Sequence, residues 1–436
     1  MILAVFGVLL ATVVQAVDGS IVNVALPQIQ RDLGGSLSVV GWTVTGYAIA
    51  SLIAMPLAAS LASRVGMRAY FAGSVALFTA ASAACGLSHS AGALIAFRVV
   101  QGFGAGGLLP LSQGILMSLF PGERRSTAVA LVGFAAVLGP LLGPPIGGVL
   151  TDAFGWQSIF WINLPLGAVS IALILGFLHI AKRRDAGSLD LGGAALLAGA
   201  VVALQVACAH HPWLFLPAGV LAVAFVRREL TAPRPAVDLR VLRHRPLAGT
   251  LAAAPLYGIG LYGSIFLAPL LLERELHMTA SATGLALAVG GLASGTLIVC
   301  ARPMLARFHA RSVSAAGAAA FAVSMLLHAR LALQGQGDVF LPQALRGVGT
   351  GLLYVGMNGF AFETVPAAEL ATSASLFYVL RQLGGSAAVA LGAGVLDAFG
   401  TMGTVASFAV LALTAPLALV PMAAGDDRRA LAATGR

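Results

Sequence analysis

Asp18 and Arg98 are the two residues of this 436-residue chain whose types and positions most directly suggest chemistry. Asp18 lies inside a long apolar run with no loop nearby, where an ionised carboxylate costs roughly 2.5–3.5 kcal/mol. Arg98 lies in another apolar run, and each residue is roughly 10–12 Å from the outer end of its run at 1.5 Å per residue. This equal depth predicts an ion pair that can exchange a proton, because a nearby cation holds the carboxylate ionised until the partner moves. The alternatives are that Asp18 hydrogen-bonds neighbouring backbone and that Arg98 clamps backbone carbonyls.

The composition indicates that membrane-spanning helices position this pair. The chain is 59% hydrophobic and only 9% charged, which leaves too few charges to coat soluble domains. Its 53 glycines suit helices that pack in lipid through small residues. The net charge is +9, but the basic residues are dispersed rather than massed with aromatics, so no nucleic-acid partner is predicted. The cysteines Cys85, Cys208 and Cys300 lack metal-ligand spacing, so we expect buried thiols and no metal or cofactor.

Fourteen apolar runs are long enough to cross the hydrocarbon, which takes about 20 residues. Their approximate limits are 2–26, 39–62, 69–88, 91–118, 127–151, 158–180, 190–209, 212–227, 247–272, 281–301, 312–332, 339–362, 371–396 and 403–423. With an inner N-terminus, only Arg31, Arg274 and Arg330 of the 25 basic residues fall in outer loops, as the positive-inside rule requires. Both termini are therefore predicted to be cytoplasmic. Because the run 212–227 is short, twelve spans with an insertion remain the alternative.

The start of the chain lacks the basic segment of a cleavable signal peptide. The first run begins so abruptly that we expect further cytoplasmic residues before it.

An internal repeat links segment 98–107 (RVVQGFGAGG) with segment 343–352 (QALRGVGTGL). The alignment superposes three glycine pairs, namely Gly102 on Gly347, Gly104 on Gly349 and Gly106 on Gly351. Arginine and glutamine exchange places between the two segments. A basic inner loop precedes each segment at a similar distance, which predicts two related halves of the kind that many secondary transporters build around a midplane site. The alternative is that these glycines only serve helix packing in a Gly-rich chain.

Several stretches together resemble the fourteen-span drug:proton antiporters of the major facilitator superfamily. They are 17–27 (VDGSIVNVALP), 61–68 (LASRVGMR), 98–104 (RVVQGFG), 139–148 (GPLLGPPIGG), 156–167 (WQSIFWINLPLG), the basic stretch 227–246 and 381–386 (RQLGGS). The chain departs from the family in the loop 61–68, where Ser63 replaces the usual aspartate and Met67 a basic residue. The usual gating contact of that loop is therefore not expected in its normal form.

The resemblance implies an all-α membrane protein with the major facilitator fold, two pseudo-symmetric six-helix bundles and two additional helices between them in sequence. The implied segments are a bundle at 1–185, two additional helices at 186–230, a basic cytoplasmic linker at 231–246, a second bundle at 247–424 and a tail at 425–436. It also implies a monomeric, multi-pass transporter of the bacterial cytoplasmic membrane that exports hydrophobic or cationic compounds in exchange for protons. No cofactor is expected.

The motifs supply further candidate residues. The proton-coupling pair is Asp18 and Arg98. The candidates for a substrate cavity or polar network are Asn23, Gln101, Gln343, Arg346, Asn358, Arg381 and Gln382. The hinge or antiporter motif comprises Gly139, Pro140, Gly143, Pro144, Gly147 and Gly148, whose four-residue glycine spacing predicts a smooth helix stripe and whose prolines predict a bend. The alternative for this motif is ordinary tight packing. The cytoplasmic gate loop comprises Arg64, Gly66 and Arg68. Asn163 and Trp161 are interpreted as anchors at the membrane interface rather than as substrate contacts.

Other functional classes have weaker support in the sequence. There is no Walker loop and no nucleophile elbow, so ATP-driven pumping and hydrolysis lack their parts. Export or flipping of a lipid or of a specific biosynthetic product on the same fold is the second hypothesis. A membrane-embedded transferase is a third, for which the pair His210–His211 is the only candidate site.

Overall fold

The computed structural model describes residues 1–120, 125–180, 191–209, 211–231, 239–362, 365–366 and 369–424, and this part of the chain is helical with no strand. Its α-helices are α1 (Ile2–Leu33), α2 (Leu37–Val65), α3 (Met67–Gly86), α4 (Ala91–Ala105), α5 (Leu108–Leu119), α6 (Arg125–Phe154), α7 (Ser158–Trp161), α8 (Asn163–Phe177), α9 (Leu191–Ala209), α10 (Phe215–Thr231), α11 (Arg245–Leu270), α12 (Ala280–Val299), α13 (Ala301–Arg307), α14 (Ala310–Gln334), α15 (Phe340–Phe362) and α16 (Leu370–Ala424). A five-residue π-helix, Leu271–Glu275, continues α11.

Each of the fourteen predicted runs lies on a helix or on a pair of consecutive helices. Within the described residues, nine helical stretches are by themselves long and apolar enough to cross a membrane. In a bilayer a helix satisfies its backbone polar groups internally, so long apolar runs become helices almost regardless of their sequence. Two predicted runs are interrupted: 91–118 forms α4 and α5, and 158–180 forms α7 and α8.

Polar caps and glycines end several of these helices. The Ser36 hydroxyl accepts a hydrogen bond from the Val39 amide at the start of α2, and Asp338 accepts from the first amides of α15. Both satisfy amides that a helix start leaves unpaired. Gly66, which joins α2 to α3, has a φ of 99° that other residues rarely adopt. The local sequence therefore fixes where these helices begin and end.

Gly400 breaks the longest helix. Residues Leu370–Ala424 form a 55-residue helical segment whose backbone leaves helical geometry at Gly400, with φ 53° and ψ −134°. That conformation is costly for a residue with a Cβ atom. The break lies between the predicted runs 371–396 and 403–423, so their separation into two runs is confirmed.

The chain forms two compact units. Unit one comprises Met1–Phe225 and His277–Ala288, and unit two comprises Val226–Leu276 and Val289–Arg436. In unit one, α1 packs against α6 and α8, and α4 packs against α2 and α3. In unit two, α11 packs against α16, and α14 packs against α15 and α16.

The repeated glycines make the same contacts in both units, which supports the predicted internal repeat. At five of the six positions a Cβ atom would overlap a neighbouring helix, and at Gly351 it would make a tight contact, so glycine permits the close approach. The contacts in unit one are Gly102 with Tyr47, Gly106 with Ser51 and Gly104 with Phe78, and those in unit two are Gly347 with Gly290, Gly351 with Ser294 and Gly349 with Phe321. In each set the first and last glycines along the chain contact the second helix of the repeat, and the middle glycine contacts the third helix.

The cysteines differ in burial. Cys85 is buried, Cys208 is half-buried and Cys300 is exposed at the surface of the protein. The expectation of three buried thiols is therefore wrong for Cys300. Cys300 lies between the end of α12 and the start of α13. The apolar run that contains it does not indicate which of its residues face the surface.

Candidate functional site

The Asp18 carboxylate is fully buried in unit one and accepts hydrogen bonds from three side chains. Arg98 on α4 approaches it with Nη1 2.6 Å from Oδ2, and the exposed fractions of the two side chains are 1% and 0%. Gln101 Nε2 and Asn163 Nδ2 donate to the other oxygen, Oδ1, at 3.0 and 2.9 Å. The predicted contact between Asp18 and Arg98 is thus present, and α1, α4 and α8 meet at one carboxylate.

The Arg98 guanidinium is held on every side. Nε donates to the carbonyl of Thr43 at 2.9 Å, and Nη1 also donates to Gln101 Oε1 at 2.6 Å. Its central carbon lies 4.0 Å from the ring centroid of Tyr47 and 5.8 Å from that of Phe160. Cation–π contacts of this kind stabilise an arginine away from water. Arg98 therefore keeps several partners even when the charge on Asp18 changes.

A second layer of polar groups orients Asn163. Its Nδ2 also donates to Ser82 Oγ at 3.0 Å, and Ser82 in turn donates to the carbonyl of Phe160 at 2.9 Å. Asn163 is the first residue of α8, directly after the break that follows α7. Its interpretation as an interface anchor is wrong, because the side chain is buried and bound to Asp18. The sequence signal that could have found it is a polar residue inside an otherwise apolar run.

This arrangement is suited to proton exchange at one atom pair. An ionised carboxylate is a hydrogen-bond acceptor only, and all three of its partners here are donors. Protonation of Asp18 would remove the negative charge that Arg98 pairs with and place a fourth hydrogen among those donors. The protonated form could not keep all of these hydrogen bonds as they are in the ion pair.

Unit two contains a related pair without an acid. Arg346 Nε donates to Gln343 Oε1 at 2.7 Å, which repeats the Arg98–Gln101 bond with the two residue types exchanged. No carboxylate contacts Arg346 among the described residues. The Arg–Gln pair is thus common to both halves, whereas among the described residues only the pair in unit one contacts an acid.

Tyr257 occupies the position in unit two that Asp18 occupies in unit one. A Cβ atom at Gly139 would overlap the carbonyl of Ala16, and one at Gly384 would overlap the carbonyl of Pro255. Asp18 lies two residues after Ala16, and Tyr257 lies two residues after Pro255. Each of the two is followed by a glycine. The Tyr257 hydroxyl donates to the carbonyl of Thr350 at 3.2 Å. A phenol therefore replaces the carboxylate.

Arg381 on α16 lies in an aromatic cluster of unit two. Its guanidinium carbon is 5.1 Å from the ring centroid of Tyr378 and 5.9 Å from that of Tyr262. Tyr257 and Tyr354 are also close enough to interact with it electrostatically. Among the described residues, no hydrogen bond or ion pair of the Arg381 side chain is present, and its Nε atom is enclosed without a partner.

The remaining polar candidates do not join the Asp18 cluster. Asn23 and Asn358 donate to carbonyls of their own helices, so each satisfies its amide locally. Gln382 is half-buried, and its Oε1 has no partner among the described residues. In the gate loop, Arg64 is exposed, while Arg68 donates to the carbonyl of Leu175 on α8.

The motif at 139–148 lies in one continuous helix, α6, so the predicted bend produces no break in helical structure. Cβ atoms at Gly139, Gly143 and Gly147 would overlap Ala16, Ser20 and Ile21 of α1, respectively. Gly148 faces the start of α12, and the carbonyl of Pro144 meets Gly284 on that helix. The side chain of Pro140 lies outside the described part. The stripe thus packs α6 closely on two neighbours, and its role as a hinge stays a prediction.

Residues 8–389 of the chain match the family model described as the Major Facilitator Superfamily. The chain belongs to this family. It is 32% identical over 410 residues to the multidrug export protein EmrB of Haemophilus influenzae, covering 90% of this chain and 79% of the relative. It is 33% identical over 396 residues to EmrB of Escherichia coli K12, covering 86% of this chain and 76% of the relative. The predicted resemblance to the fourteen-span subfamily is therefore confirmed.

The fold of this major facilitator also matches solved structures. The crystal structure of the peptide transporter POT aligns with a TM-score of 0.73 over 96% of this chain and 93% of that one, at 15% identity. Identity this low supports the fold alone. The protein is a multi-pass bacterial membrane protein with two pseudo-symmetric bundles and two additional helices. The assignment of those two helices to α9 and α10 stays a prediction.

Proposed function

We propose that this protein is a proton-coupled antiporter that exports drug-like hydrophobic small molecules across the cytoplasmic membrane by alternating access. The buried Asp18–Arg98 pair carries the proposal, because a transporter driven by protons needs a group inside the membrane that can take one up. The relatives named multidrug export proteins support the substrate class. We further propose that both termini are cytoplasmic, as the distribution of basic residues predicts, and that the protein works as a monomer.

In the proposed cycle, Asp18 accepts the proton and Arg98 responds. With Asp18 ionised, the pair ties α4 to α1, and Asn163 adds α8. Protonation removes the charge that holds Arg98, which then keeps the carbonyl of Thr43 and the ring of Tyr47. A change of partner at this depth alters the packing of three helices at once. Loss of the proton restores the first arrangement, so substrate export and proton entry alternate.

Asp18→Asn tests the proposal. The variant keeps the size and hydrogen-bonding capacity of the side chain but cannot ionise. In everted vesicles with an imposed proton gradient, we expect addition of a transported compound to release protons through the native protein, and the Asn variant to fall to the background of empty vesicles. A dye that reports the pH difference gives the measurement. Asp338→Asn is the matched control, because Asp338 caps α15 at an exposed position and asparagine caps equally well.

A resistance assay in a pump-deficient host defines which compounds are exported. The panel contains neutral, cationic and acidic hydrophobic compounds. Export that is unchanged in the Asp18→Asn variant rejects Asp18 as the proton site. If the native protein confers no resistance to any compound, drug export is rejected and export of a lipid or of a specific product becomes the better hypothesis.

A further inference from the structure

We infer that the Arg381 cluster in unit two recognises the anionic group of a hydrophobic substrate, so that the transporter accepts organic acids. This inference rests on the proposed export function and deepens it by assigning a substrate class and a site. We define the Arg381 cluster as Arg381, Tyr262 and Tyr378, with Tyr257 and Tyr354 beside it. The sequence alone predicts hydrophobic or cationic substrates, whereas the charges in the structure favour acids.

The first step of the argument is that Arg381 has no counter-ion within the described residues. Arg98 has Asp18, and Arg346 has the oxygen of Gln343. Among the described residues, Arg381 has only the faces of aromatic rings beside it. Its Nε is enclosed, but the four N–H donors on its two terminal nitrogens remain available to a ligand.

The second step is that five acids of unit two have other neighbours in the part of the chain that the structure describes. Glu369 pairs with Arg243 and His244, Glu275 accepts a hydrogen bond from Thr401, and Asp338 caps α15. Glu273 and Asp397 lie near Arg274. None of these carboxylates contacts Arg381. A substrate that enters this region therefore meets an uncompensated positive charge.

The third step is that the surroundings of Arg381 are partly exposed and suited to an aromatic or alkyl body. Arg381, Tyr262, Tyr354 and Tyr378 are each half-buried, although Arg381 Nε is enclosed. Phe377 lies 6.4 Å, centroid to centroid, from Tyr354 and adds a further ring beside the tyrosines. Aromatic faces bind apolar groups, and phenol hydroxyls donate hydrogen bonds to an anion.

The fourth step is that the backbone holds the cluster in place. A Cβ atom at Gly385 would overlap the ring of Tyr262, and one at Gly258 would overlap the carbonyl of Arg381. These two glycines bring α11 and α16 together at the cluster. The planar fork of an arginine matches the planar, two-oxygen geometry of a carboxylate. The occupant is therefore a hydrophobic monoanion, with a carboxylate as the best fit.

Binding of three naphthalene compounds to the purified full-length protein tests the inference. They are naphthylacetic acid, its primary amide and naphthylethylamine, which share the ring and differ in the group they carry. The protein is placed in nanodiscs of neutral phosphatidylcholine, and binding is followed by fluorescence. We expect the acid to bind at least about tenfold more tightly than the amide, as a charge-assisted hydrogen bond implies. The amine should bind more weakly still. Equal affinity for the acid and the amide overturns the inference.

Two variants at Arg381 and one control locate the preference. Arg381→Gln should bring the affinity for the acid down to that for the amide, while Arg381→Lys should restore part of it. Retained binding of the amide shows that each variant is folded. Arg311→Gln is the control, because Arg311 also lies over an aromatic ring, that of Phe360, but bonds the carbonyls of Met422 and Ala423. A preference for the acid that survives in Arg381→Gln overturns the assignment.

A lipid headgroup carries similar chemistry, and the membrane composition separates the two sources. Phosphatidylglycerol is added to the nanodiscs in a second series. If the acid still binds preferentially, the site takes a substrate. If the anionic lipid abolishes the preference, the site takes a headgroup and the substrate assignment is overturned. Because these measurements use no proton gradient, their failure leaves proton-coupled export standing, and failure of Asp18→Asn leaves this site standing.

Discussion

The two halves of this transporter use the same scaffold with opposite electrostatics. Both contain an Arg–Gln hydrogen bond on the helix with three spaced glycines, Arg98–Gln101 in unit one and Arg346–Gln343 in unit two. In unit one the neighbouring helix supplies Asp18, and in unit two it supplies Tyr257 at the same place in the repeat. With aspartate at this place, unit one contains a counter-ion for its arginine. With tyrosine at the same place, unit two contains no such counter-ion among the described residues.

This difference shows that the two copies of a duplicated helical framework can carry different sites. The glycine contacts are retained in both units because they set helix spacing, which neither half can change without losing its packing. The side chains on that framework are free to diverge. Unit one keeps a saturated ion pair, to which we assign the proton. Unit two places Arg381, which has no counter-ion among the described residues, beside aromatic rings.

The largest expected effect comes from removing the arginine of each pair. Arg98→Met leaves the buried Asp18 carboxylate without its cation and should lower the free energy of unfolding by about 3–5 kcal/mol. Arg346→Met leaves only the neutral Gln343 and should cost about 1–3 kcal/mol. Thermal unfolding of the purified proteins in detergent, followed by intrinsic fluorescence, gives the measurement.

A double variant sharpens this first prediction. Asp18→Asn added to Arg98→Met removes the unpaired charge and should recover part of the lost stability. Equal losses for the two arginine variants, or no recovery in the double variant, would show that Asp18 does not distinguish the halves energetically.

An intermediate effect is expected from the two asparagines. Asn163→Leu removes a buried donor to the Asp18 carboxylate and should cost about 1.5–3 kcal/mol, as for hydrogen bonds to charged groups. Asn358→Leu removes a bond to its own helix at a half-buried position and should change the free energy of unfolding by at most about 0.5 kcal/mol. The same unfolding experiment compares them. A larger loss of unfolding free energy in Asn358→Leu than in Asn163→Leu would contradict this prediction.

The smallest difference between the halves is expected at the glycines that they share. Gly102→Ala and Gly347→Ala should each cost about 1–3 kcal/mol, because the added methyl group overlaps a backbone carbonyl of the neighbouring helix. Gly73→Ala is the control, since nothing lies within 4 Å of its Cβ position. If either variant unfolds like the control, the spaced glycines do not set the helix spacing in that half.

Much of the fold and part of the site follow from the sequence. The apolar runs, the glycine repeat and the equal depths of Asp18 and Arg98 each depend on residues close together in sequence or on the known rise of a helix. The bond from Asn163 to Asp18 joins residues 145 positions apart, and no local pattern encodes it. The rings around Arg381 come from three different helices, so their convergence becomes visible only when those helices pack.

Gly400 has a further consequence for the geometry of the chain end. If the 55 residues of Leu370–Ala424 formed one straight helix, it would be about 80 Å long at 1.5 Å per residue. The hydrocarbon layer is only about 30 Å thick. The left-handed backbone of a single residue thus turns one over-long rod into two membrane crossings. The number of crossings near the end of the chain therefore depends on the backbone conformation of that one glycine.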